Sequence, residues 1–566
     1  MEIWRINART HEFTREPVPT PWAHLGGRAL LSRIMVDEME AACDPLGPDN
    51  KLIFAPGLLV GYHLSSCDRI SIGGKSPLTG GVKESNAGGR TGLQLVRLGV
   101  KALILEDQPE TDSWQLIHLS PDGARFEDAG EYAGLGVYKT APPLIERYGD
   151  KIAVALIGPA GERMQHAAGI QNLDKDEAPS RIAARGGLGA VMGSKGIKAI
   201  VIDGSQGTNP IAADPDGLKE ARKRYIKGLL EHPQTQSYKD YGTAAMTMMC
   251  NTFGALPVRN FSAGSFEDAE LLSGEHLRDT LLQRGGDCDP SHPCMAGCTI
   301  QSSNIFVTLD GGTKVSPLEY ETIGLMGSNL GISDLDVVAR LNWEVNDLGM
   351  DSIEIGAALG VAADAGLFDF GDGDRALELV DEIRRDTELG RILGNGAGAT
   401  GKALGIERVP VAKNQAFSAY DPRAIKGTGI TYATSPQGAD HTSGLTIRAN
   451  VDHRDPKGQK ELSREKQIDM AGYDSLGACI FAAFGYSVDK SVIPGLLNAI
   501  YGWNLGETAL QDLGRESLVY EREFNRRAGF TKKDDRLPEW VTKEALAPHN
   551  AVFDVPEADL DSVFNW

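Results

Sequence analysis

Short apolar runs bounded by turn residues dominate the first part of the chain. The clearest are KLIFAPGLLVG (51–61), VKALILED (100–107), KIAVALIGPAGE (151–162) and IKAIVIDG (197–204). Runs of this length between Gly, Pro and Asp are typical of buried β-strands. No strict alternation of helix and strand patterns accompanies them, so a simple doubly wound sheet is not expected.

The pattern changes after the loop sequence DGSQGTNPIAADPDG (203–217), and helical periodicity dominates from Leu218 onward. The segment SDLDVVARLNWEVNDLG (333–349) predicts an amphipathic helix with Ser333 as its N-cap. The next stretch, 352–366, predicts a second, tightly packed helix. The apolar positions of the first helix share one face: Leu335, Val338, Leu341 and Val345.

A second boundary falls near 405–425, where Pro and polar residues interrupt the helical patterns. A chain of 566 residues has room for about three or four domains of the usual size. The sequence therefore predicts an α+β protein with a β-rich domain at 1–208 and two mainly α-helical domains at 209–411 and 412–566. No internal repeat is recognisable in the sequence.

The net charge of −21 argues against nucleic acid or an anionic membrane as a partner, because both require a basic surface. No apolar run is long enough for a transmembrane helix. The first residues, MEIWRINARTHEF, carry charges where a signal peptide needs an apolar region. We therefore expect a cytoplasmic protein whose cysteines are reduced, buried or metal-bound rather than paired in disulfides.

Cysteines are concentrated in CDPSHPCMAGC (288–298), and the next cysteine along the chain is Cys479. Three clustered thiols and one distant thiol are a common arrangement for a [4Fe–4S] cluster. A zinc site that includes His292 and a set of unliganded thiols are the alternatives that the spacing leaves open. The remaining cysteines are expected to be small buried residues: Cys43, Cys67 and Cys250.

Two related turn sequences occur in the helical region, DSLGAC (474–479) and NDLGMD (346–351). Asn346 occupies the position of Asp474, and Asp351 occupies that of Cys479. Two similar turns from two domains would suit a cofactor with two similar halves.

Two glycine-rich stretches of the N-terminal region carry Arg and Lys. They are DRISIGGKSPLTGGVKESNAGGRTG (68–92) and RIAARGGLGAVMGSKGIKAI (181–200). Exposed amides and guanidinium groups in such loops suit phosphate oxygens, although neither stretch is a Walker loop. Tight turns before strands are the structural alternative.

Together these segments resemble the aldehyde:ferredoxin oxidoreductases, tungsten enzymes that carry a bis-pyranopterin cofactor and one [4Fe–4S] cluster. The resemblance covers nearly the whole chain and rests on phrases in a common order. They are KSPLTG (75–80), SNAGG (85–89), IGPAGE (157–162), ARGGLGAVMGSKGIKAI (184–200), YGTA (241–244), EYET (319–322), NLGI (329–332), AYDPR (419–423) and DSLGAC (474–479). The resemblance implies a β-rich first domain that cradles the cofactor and two mainly helical domains that close over it.

The resemblance also implies the cofactors and their residues. Tungsten, or molybdenum, would be held by the dithiolene sulfurs of the pterins, and Mg²⁺ would bridge the pterin phosphates. Arg69 would bridge cluster and pterin, and Asp474 would hydrogen-bond a pterin ring. The implied cofactor-binding residues are Arg69, Asn86, Gly88, Arg185, Gly186, Asn346, Asp351, Asp474 and Ala478, and the implied cluster ligands are Cys288, Cys294, Cys298 and Cys479.

The implied activity is oxidation of an aldehyde to the carboxylic acid. Glu321 would act as a general base towards water, and His441 would hydrogen-bond the carbonyl oxygen. Electrons would leave through the cluster to ferredoxin or a small ferredoxin-like subunit. The alternatives are the catalytic subunit of a tungsten-dependent aryl-CoA or carboxylate reductase, and a non-catalytic iron–sulfur or zinc protein of the same fold.

The chain departs from the family pattern at several positions. The family motif CxxCxxxC becomes Cys288-x5-Cys294-x3-Cys298, which makes His292 an alternative ligand to Cys288. Asn346 stands where many members have a second pterin-binding Asp. Arg340 stands where some members have a Glu that binds an iron between subunits. A homodimer without an intersubunit metal is therefore the expected assembly.

Overall fold

Two six-stranded sheets form the N-terminal part of the protein. The computed structural model describes residues 1–111 and 113–565. The first sheet has the order β2-β1-β6-β3-β4-β5 and contains β1 (Glu2–Asn7), β2 (Phe13–Pro17), β3 (Leu52–Pro56), β4 (Ile70–Lys75), β5 (Val82–Ala87) and β6 (Val100–Glu106). The second has the order β11-β10-β9-β12-β7-β8 and contains β7 (Gln115–Ser120), β8 (Gly123–Asp128), β9 (Ala153–Leu156), β10 (Ile170–Leu173), β11 (Pro179–Ala183) and β12 (Ile197–Ile202).

The two sheets have the same topology. In each, the first strand pairs antiparallel with the second and parallel with the sixth, and all other neighbours are antiparallel. The helices also correspond: α1 (Gly27–Glu38) and α2 (Thr91–Arg97) in the first half match α3 (Val137–Tyr148) and α5 (Leu188–Ser194) in the second, which adds the short α4 (Pro159–Glu162). The sequence shows no internal repeat, but the two sheets and their helices share one topology.

The predicted strands form where the apolar runs are, because these residues are buried on both faces of their sheets. Each of the four apolar runs contains one strand, namely β3, β6, β9 and β12. One apolar core includes side chains from both sheets, among them Trp4, Phe54, Leu103 and Ile200. The two sheets are therefore packed as one β-rich unit, as the sequence predicted.

Helices form most of the remaining chain. The middle region contains α6 (Pro215–Glu231), α7 (Pro233–Tyr241), α8 (Met246–Phe253), α9 (Gly274–Arg284), α10 (Tyr320–Met326), α11 (Leu335–Asp347), α12 (Ser352–Asp364), α13 (Gly373–Arg384), α14 (Glu388–Gly394) and α15 (Gly396–Leu404), with the small strands β13 (Asp289–His292), β14 (Ser303–Val307) and β15 (Lys314–Val315). The last region contains β16 (Val411–Ala412), β17 (Gln415–Ala416), α16 (Lys426–Thr434), α17 (Gln459–Leu476), α18 (Ala483–Tyr486), α19 (Val492–Tyr501), α20 (Ala509–Arg527), α21 (Trp540–Lys543) and α22 (Glu557–Ser562). None of the helices described is both long and apolar enough to span a bilayer.

The predicted helix pair is present as α11 and α12, with one correction. Asp334 rather than Ser333 is the N-cap of α11, because its extended backbone directs the carboxylate to the backbone N–H of Asp336 at 2.8 Å. The predicted apolar face of α11 is buried, and α12 is buried along most of its length. These helices therefore lie inside the middle region and can hold side chains rigidly at their ends.

Candidate active site

A large cavity lies where the two six-stranded sheets meet the helices. Its empty volume is about 1710 Å³, including the part open to solvent. Most of the predicted site residues line it: Arg69, Asn86, Gly88, Arg185, Asn346, Asp351, Asp474, Ala478, Glu321, His441, Cys294 and Cys479. Gly186 lies behind the wall at a positive φ of 82°, where a Cβ would lie 2.4 Å from the Cγ of Lys83.

The two related turns, 474–479 and 346–351, pack at corresponding positions of the two six-stranded sheets. Gly57 follows β3, and a Cβ there would lie 2.0 Å from the backbone N of Gly477. Gly158 follows β9, and a Cβ there would lie 2.3 Å from the carbonyl oxygen of Leu348. Only glycine permits such close backbone contact. One turn of the helical region thus packs on each of the two sheets beside the cavity. This arrangement suits a cofactor with two similar halves.

Asp474 belongs to a buried charged group that sequence reasoning did not identify. Arg28 donates to Asp474 at 3.2 Å and makes a bidentate pair with Glu521 at 2.7 and 2.9 Å. Burial and the neighbouring Glu84 raise the pKa of Asp474, and burial also raises that of Glu84. Among the described residues Glu84 Oε1 has no hydrogen-bond partner, although it lies in the cavity wall. N–H donors of a bound ring system would satisfy both carboxyl groups, so these residues fit the implied pterin.

Asp351, at the corresponding position of the other turn, is held from two sides. Its carboxylate caps α12 by accepting from the backbone N–H of Ile353 at 2.9 Å, and it pairs with Arg185 at 3.2 Å. Asn346 donates from its side chain to Asn342 at 3.2 Å, which leaves its own Oδ1 able to accept from a ligand. This half of the cavity is therefore less acidic than the half around Asp474.

Arg69, Asn86 and Gly88 join the cofactor cavity to the cysteines. Arg69 donates to the side-chain and backbone oxygens of Asn86, the latter at 3.2 Å. A Cβ at Gly88 would lie 3.6 Å from Nη1 of Arg69 and 3.7 Å from Sγ of Cys294. The guanidinium group of Arg69 therefore lies between the β5 edge of the cavity and Cys294. In this position it can contact both a ligand in the cavity and a cluster at Cys294.

Three of the four predicted cluster ligands lie together. The thiol of Cys298 contacts Ser66 Oγ at 3.3 Å, and the backbone N–H of Cys479 donates to the Ser66 carbonyl at 2.8 Å. A hydrogen bond from the Cys294 thiol lowers the pKa of Cys298 to about 6 and raises that of Cys294. A thiolate at this position is the form that binds iron.

Cys288 and His292 occupy different surroundings. His292 is buried and faces carboxylates of the second six-stranded sheet, with Nε2 3.7 Å from Asp174 and 3.4 Å from Asp176. Cys288 lies directly before β13 and is half-buried. Within 1–111 and 113–565, no group of three or more His, Cys, Asp or Glu side chains could hold a metal ion as placed. Ligation by Cys288 remains a prediction with His292 as the alternative ligand, and among the described residues Nε2 of His292 has no hydrogen-bond partner.

Glu321 and His441 form a pair in the cavity wall. Nε2 of His441 lies 3.3 Å from Oε1 of Glu321, and Nδ1 lies 2.9 Å from Oγ of Ser418. The other carboxylate oxygen of Glu321 accepts from the backbone N–H of Ala419 at 2.8 Å. Burial raises the pKa of Glu321, and the nearby His441 partly opposes this. The pair combines a hydrogen-bond donor with a carboxylate of raised basicity.

Lys83 and Asp440 support this pair and were not identified from the sequence. Lys83, on β5, donates to Asp440 at 2.9 Å and to Gln437 at 3.3 Å. Arg185 lies nearby and donates to the carbonyl of Ala439 at 2.7 Å. Two features of the sequence could have indicated these residues. Asp440 directly precedes His441, and a lysine within the buried strand β5 requires a partner.

The cavity thus lies between two similar sheets and beside three cysteines. The chain belongs to the aldehyde ferredoxin oxidoreductase family: the family's N-terminal domain matches residues 3–204, and its domains 2 and 3 match residues 220–564. The tungsten-containing aldehyde ferredoxin oxidoreductase of Thermococcus kodakarensis is 32% identical over 96% of this chain and 91% of its own, and that of Pyrococcus furiosus is 31% identical over the same shares.

Two further similarities are more distant. A Pyrococcus furiosus protein named aliphatic sulfonate oxidoreductase, WOR-like subunit, is 28% identical over 88% of this chain and 81% of its own. A solved structure titled active site complex BamBC of benzoyl coenzyme A reductase, in complex with 1,5 dienoyl-CoA, superposes with a TM-score of 0.79 at 18% identity. The superposition covers 95% of this chain and 90% of the other, so the fold is shared throughout.

Proposed function

We propose that the protein oxidises an aldehyde to the corresponding carboxylic acid and passes the electrons to ferredoxin or a similar small iron–sulfur carrier. The observation that carries this proposal is the Glu321–His441 pair in the wall of the cofactor cavity. One aldehyde and one water become one carboxylic acid, two protons and two electrons. The tungsten pterin group, when bound, supplies the two-electron redox chemistry.

The hydrogen bonds around Ser418 assign the tautomer of His441. The hydroxyl oxygen accepts from the backbone N–H of His441 at 3.3 Å and from Nη1 of Arg185 at 3.2 Å. Both lone pairs are then used, so the hydroxyl hydrogen donates to Nδ1 of His441. In the neutral ring Nε2 therefore carries the hydrogen and faces Glu321.

Glu321 and His441 then have distinct roles. The Nε2–H of His441 can turn from Glu321 to an aldehyde oxygen and polarise the carbonyl group. Glu321, whose Oε1 lies 3.3 Å from Nε2 of His441, can accept a proton from a water molecule as that water adds to the carbonyl carbon. The buried position of Glu321 favours this role, because burial raises its pKa and so its affinity for a proton.

We propose that the residues lining the cavity hold the cofactor as follows. Asp474 and Glu84 would hold one pterin, and Asn346 and the Arg185–Asp351 pair would lie beside the other. Asn86 and the backbone around Arg185–Gly186 would lie near the phosphates and their Mg²⁺, and Arg69 would bridge cluster and pterin. The four cysteines Cys288, Cys294, Cys298 and Cys479 would hold a [4Fe–4S] cluster, which supplies one-electron transfer to the external carrier. The Mg²⁺ ion and a homodimer remain predictions from the family resemblance.

The test is purification under anaerobic conditions, followed by metal analysis and assay of aldehyde-dependent reduction of a viologen dye. We expect about one tungsten or molybdenum and about four irons per chain, with dye reduction on addition of an aldehyde. Four irons without tungsten or molybdenum would favour a non-catalytic iron–sulfur protein. Zinc alone would contradict both the cluster and the catalytic proposal.

A second candidate is the catalytic subunit of a tungsten-dependent aryl-CoA or carboxylate reductase. The fold shared with the benzoyl-CoA reductase complex favours it, although a similarity of 18% identity concerns the fold alone. The two candidates differ in substrate and in electron direction. Dye reduction by aldehydes supports the first, whereas oxidation of a reduced dye by an aryl-CoA or a carboxylate, without aldehyde turnover, supports the second.

A further inference from the structure

A second cavity adjoins the cofactor cavity. Its empty volume is about 2060 Å³, including the part open to solvent. Much of its wall is apolar, with Leu462, Tyr473 and Phe484 among its lining residues. The two cavities share one stretch of wall, formed by Leu445, Arg448, Met470 and Ile480. These four residues therefore lie between the second cavity and the cavity that Glu321 and His441 line.

Arg448 is the charged residue of that shared wall. Its guanidinium group donates to the hydroxyl of Tyr238, from Nε at 3.0 Å and also from Nη2. It lies 5.1 Å from the ring centre of Tyr238 and 5.5 Å from that of Phe481. These two rings hold the planar group in place, so its position does not depend on a ligand.

The charge of Arg448 is not neutralised by the protein. In the described part of the chain it forms no salt bridge, and its hydrogen bonds go to a neutral hydroxyl group. Two other arginines of the cofactor cavity differ, since Arg181 lies 3.8 Å from Asp174 and Arg185 lies 3.2 Å from Asp351, whereas Arg69 donates to the uncharged Asn86. A fixed guanidinium group in a largely apolar wall has an unused capacity to bind an anion.

Arg448 also lies close to the proposed catalytic pair. The ring of Tyr420 lies 5.8 Å from that of His441, and the charges of Glu321 and Arg448 both act on the pKa of Tyr420. Glu321, Tyr420, His441 and Arg448 all line the first cavity, so a molecule bound there can contact both His441 and Arg448.

We propose that Arg448 is a specificity-determining residue that binds an anionic group of the substrate, so that the preferred substrates are short aldehydes carrying a carboxylate, sulfonate or phosphate group. This inference rests on the proposed aldehyde oxidation. A charge-assisted hydrogen bond of this kind corresponds to a preference of about 10- to 100-fold over the uncharged analogue. Because the contact is present before and during reaction, it acts mainly on KM.

The experiment compares 4-oxobutanoate with butanal, which share a four-carbon aldehyde and differ in the terminal carboxylate. The holoenzyme is expected to show a kcat/KM about 10- to 100-fold higher for 4-oxobutanoate, mostly through a lower KM. Arg448→Gln is expected to abolish this preference, so that the two aldehydes have nearly equal kcat/KM values. Arg448→Lys keeps the charge and is expected to retain part of the preference, which tests the inference if Arg448→Gln does not fold.

The matched control is Arg454→Gln, which makes the same change of charge at an exposed position outside both cavities. It should retain the full preference. Equal kcat/KM for the two aldehydes in the unchanged protein, or a preference that survives in Arg448→Gln, would overturn the role of Arg448 and leave aldehyde oxidation intact.

A binding measurement separates failure of this inference from failure of the proposed function. Butanedioate and butanoate are titrated into the protein by calorimetry, with and without Arg448→Gln. Tighter binding of butanedioate that depends on Arg448 supports the anion site even if no aldehyde is oxidised. Indistinguishable binding of the two acids overturns the anion site even if aldehydes are good substrates.

Discussion

Nζ of Lys83 lies 2.9 Å from Oδ2 of Asp440, and this buried salt bridge joins strand β5 to the residue before His441. The other oxygen of Asp440 accepts from the backbone N–H of Thr442 at 3.0 Å and so fixes the turn that carries His441. Burial alone would raise the pKa of Asp440, but Lys83 and Arg185 hold it well below its usual range. The N-terminal sheet region thus positions His441, which we propose to be catalytic.

Removing Lys83 should therefore damage both stability and turnover. Lys83→Met leaves Asp440 as a buried charge with less compensation, which costs about 3–5 kcal/mol of unfolding free energy. The measurement is denaturant unfolding together with kcat. Lys83→Met combined with Asp440→Asn should be less destabilised than Lys83→Met alone. Lys223→Met, which breaks an exposed pair with Glu220, should cost no more than about 1 kcal/mol.

Replacing the proposed catalytic pair should reduce turnover without loss of metals. His441→Ala and Glu321→Gln should each lower kcat by about 10²- to 10⁴-fold, the usual contribution of positioned acid–base groups. Metal content per chain, measured on the same samples, should match that of the unchanged protein. Full activity in either variant would place the reaction elsewhere in the cavity.

The pH dependence offers a separate test of Glu321 as the base. Its pKa is raised by burial, so activity should fall towards acid pH at a value above that of an ordinary glutamate. His441 partly opposes the effect of burial. Removal of His441 should therefore raise the pKa of Glu321 further. In His441→Ala the residual activity should begin to fall at a higher pH than it does in the unchanged protein. A fall at an unchanged pH would argue against Glu321 as the base.

The sequence carries local information well and long-range pairing poorly. The apolar runs of β3 and β12 predicted strands, and the turn ending in Cys479 was singled out, because their signals lie within a few residues. The partners Lys83 and Asp440 lie on different domains, and only the fold brings them together. The duplication of the two sheets escaped detection for a related reason: a strand needs apolar residues of suitable size, and many residues satisfy that need.

The altered cysteine spacing leads to a fourth prediction, on the cluster. Cys479→Ser and Cys288→Ser should each remove most of the iron, because a serine hydroxyl at neutral pH does not replace a thiolate ligand. His292→Ala should retain the iron, since His292 faces Asp174 and Asp176. Iron content and the cluster's visible absorbance provide the measurement. Cys43→Ser, at a half-buried thiol outside the cavity, is the control.

A retained cluster in Cys288→Ser, combined with loss in His292→Ala, would reverse this assignment. The histidine would then have to leave the two carboxylates it now faces, and the chain between Cys288 and Cys294 would have to rearrange. Loss of iron in both variants would instead indicate that the whole loop is needed to close the cluster site.

The last prediction concerns stability alone and does not depend on any cofactor. Lys101, on β6, is buried. Its ammonium group donates a long hydrogen bond of 3.4 Å to the carbonyl of Ala23. Burial lowers its pKa from 10.5 to about 8. Between these values the unfolded chain binds a proton that the folded protein has lost, so unfolding free energy should rise with pH from about 8 to 10.5.

Lys101→Met should accordingly stabilise the protein at pH 7 by about 1–3 kcal/mol, because methionine fills a similar volume without a charge to bury. It should also flatten the rise of stability between pH 8 and 10.5. Lys195→Met is the matched control. Burial lowers its pKa to about 8 as well, but its ammonium group donates to the carbonyls of Asn50 at 2.6 Å and Asp107 at 3.0 Å. Its removal leaves two acceptors unpaired and should destabilise the protein. Thermal unfolding across this pH range distinguishes the two variants, and a destabilised Lys101→Met would show that its charge is compensated in the folded state.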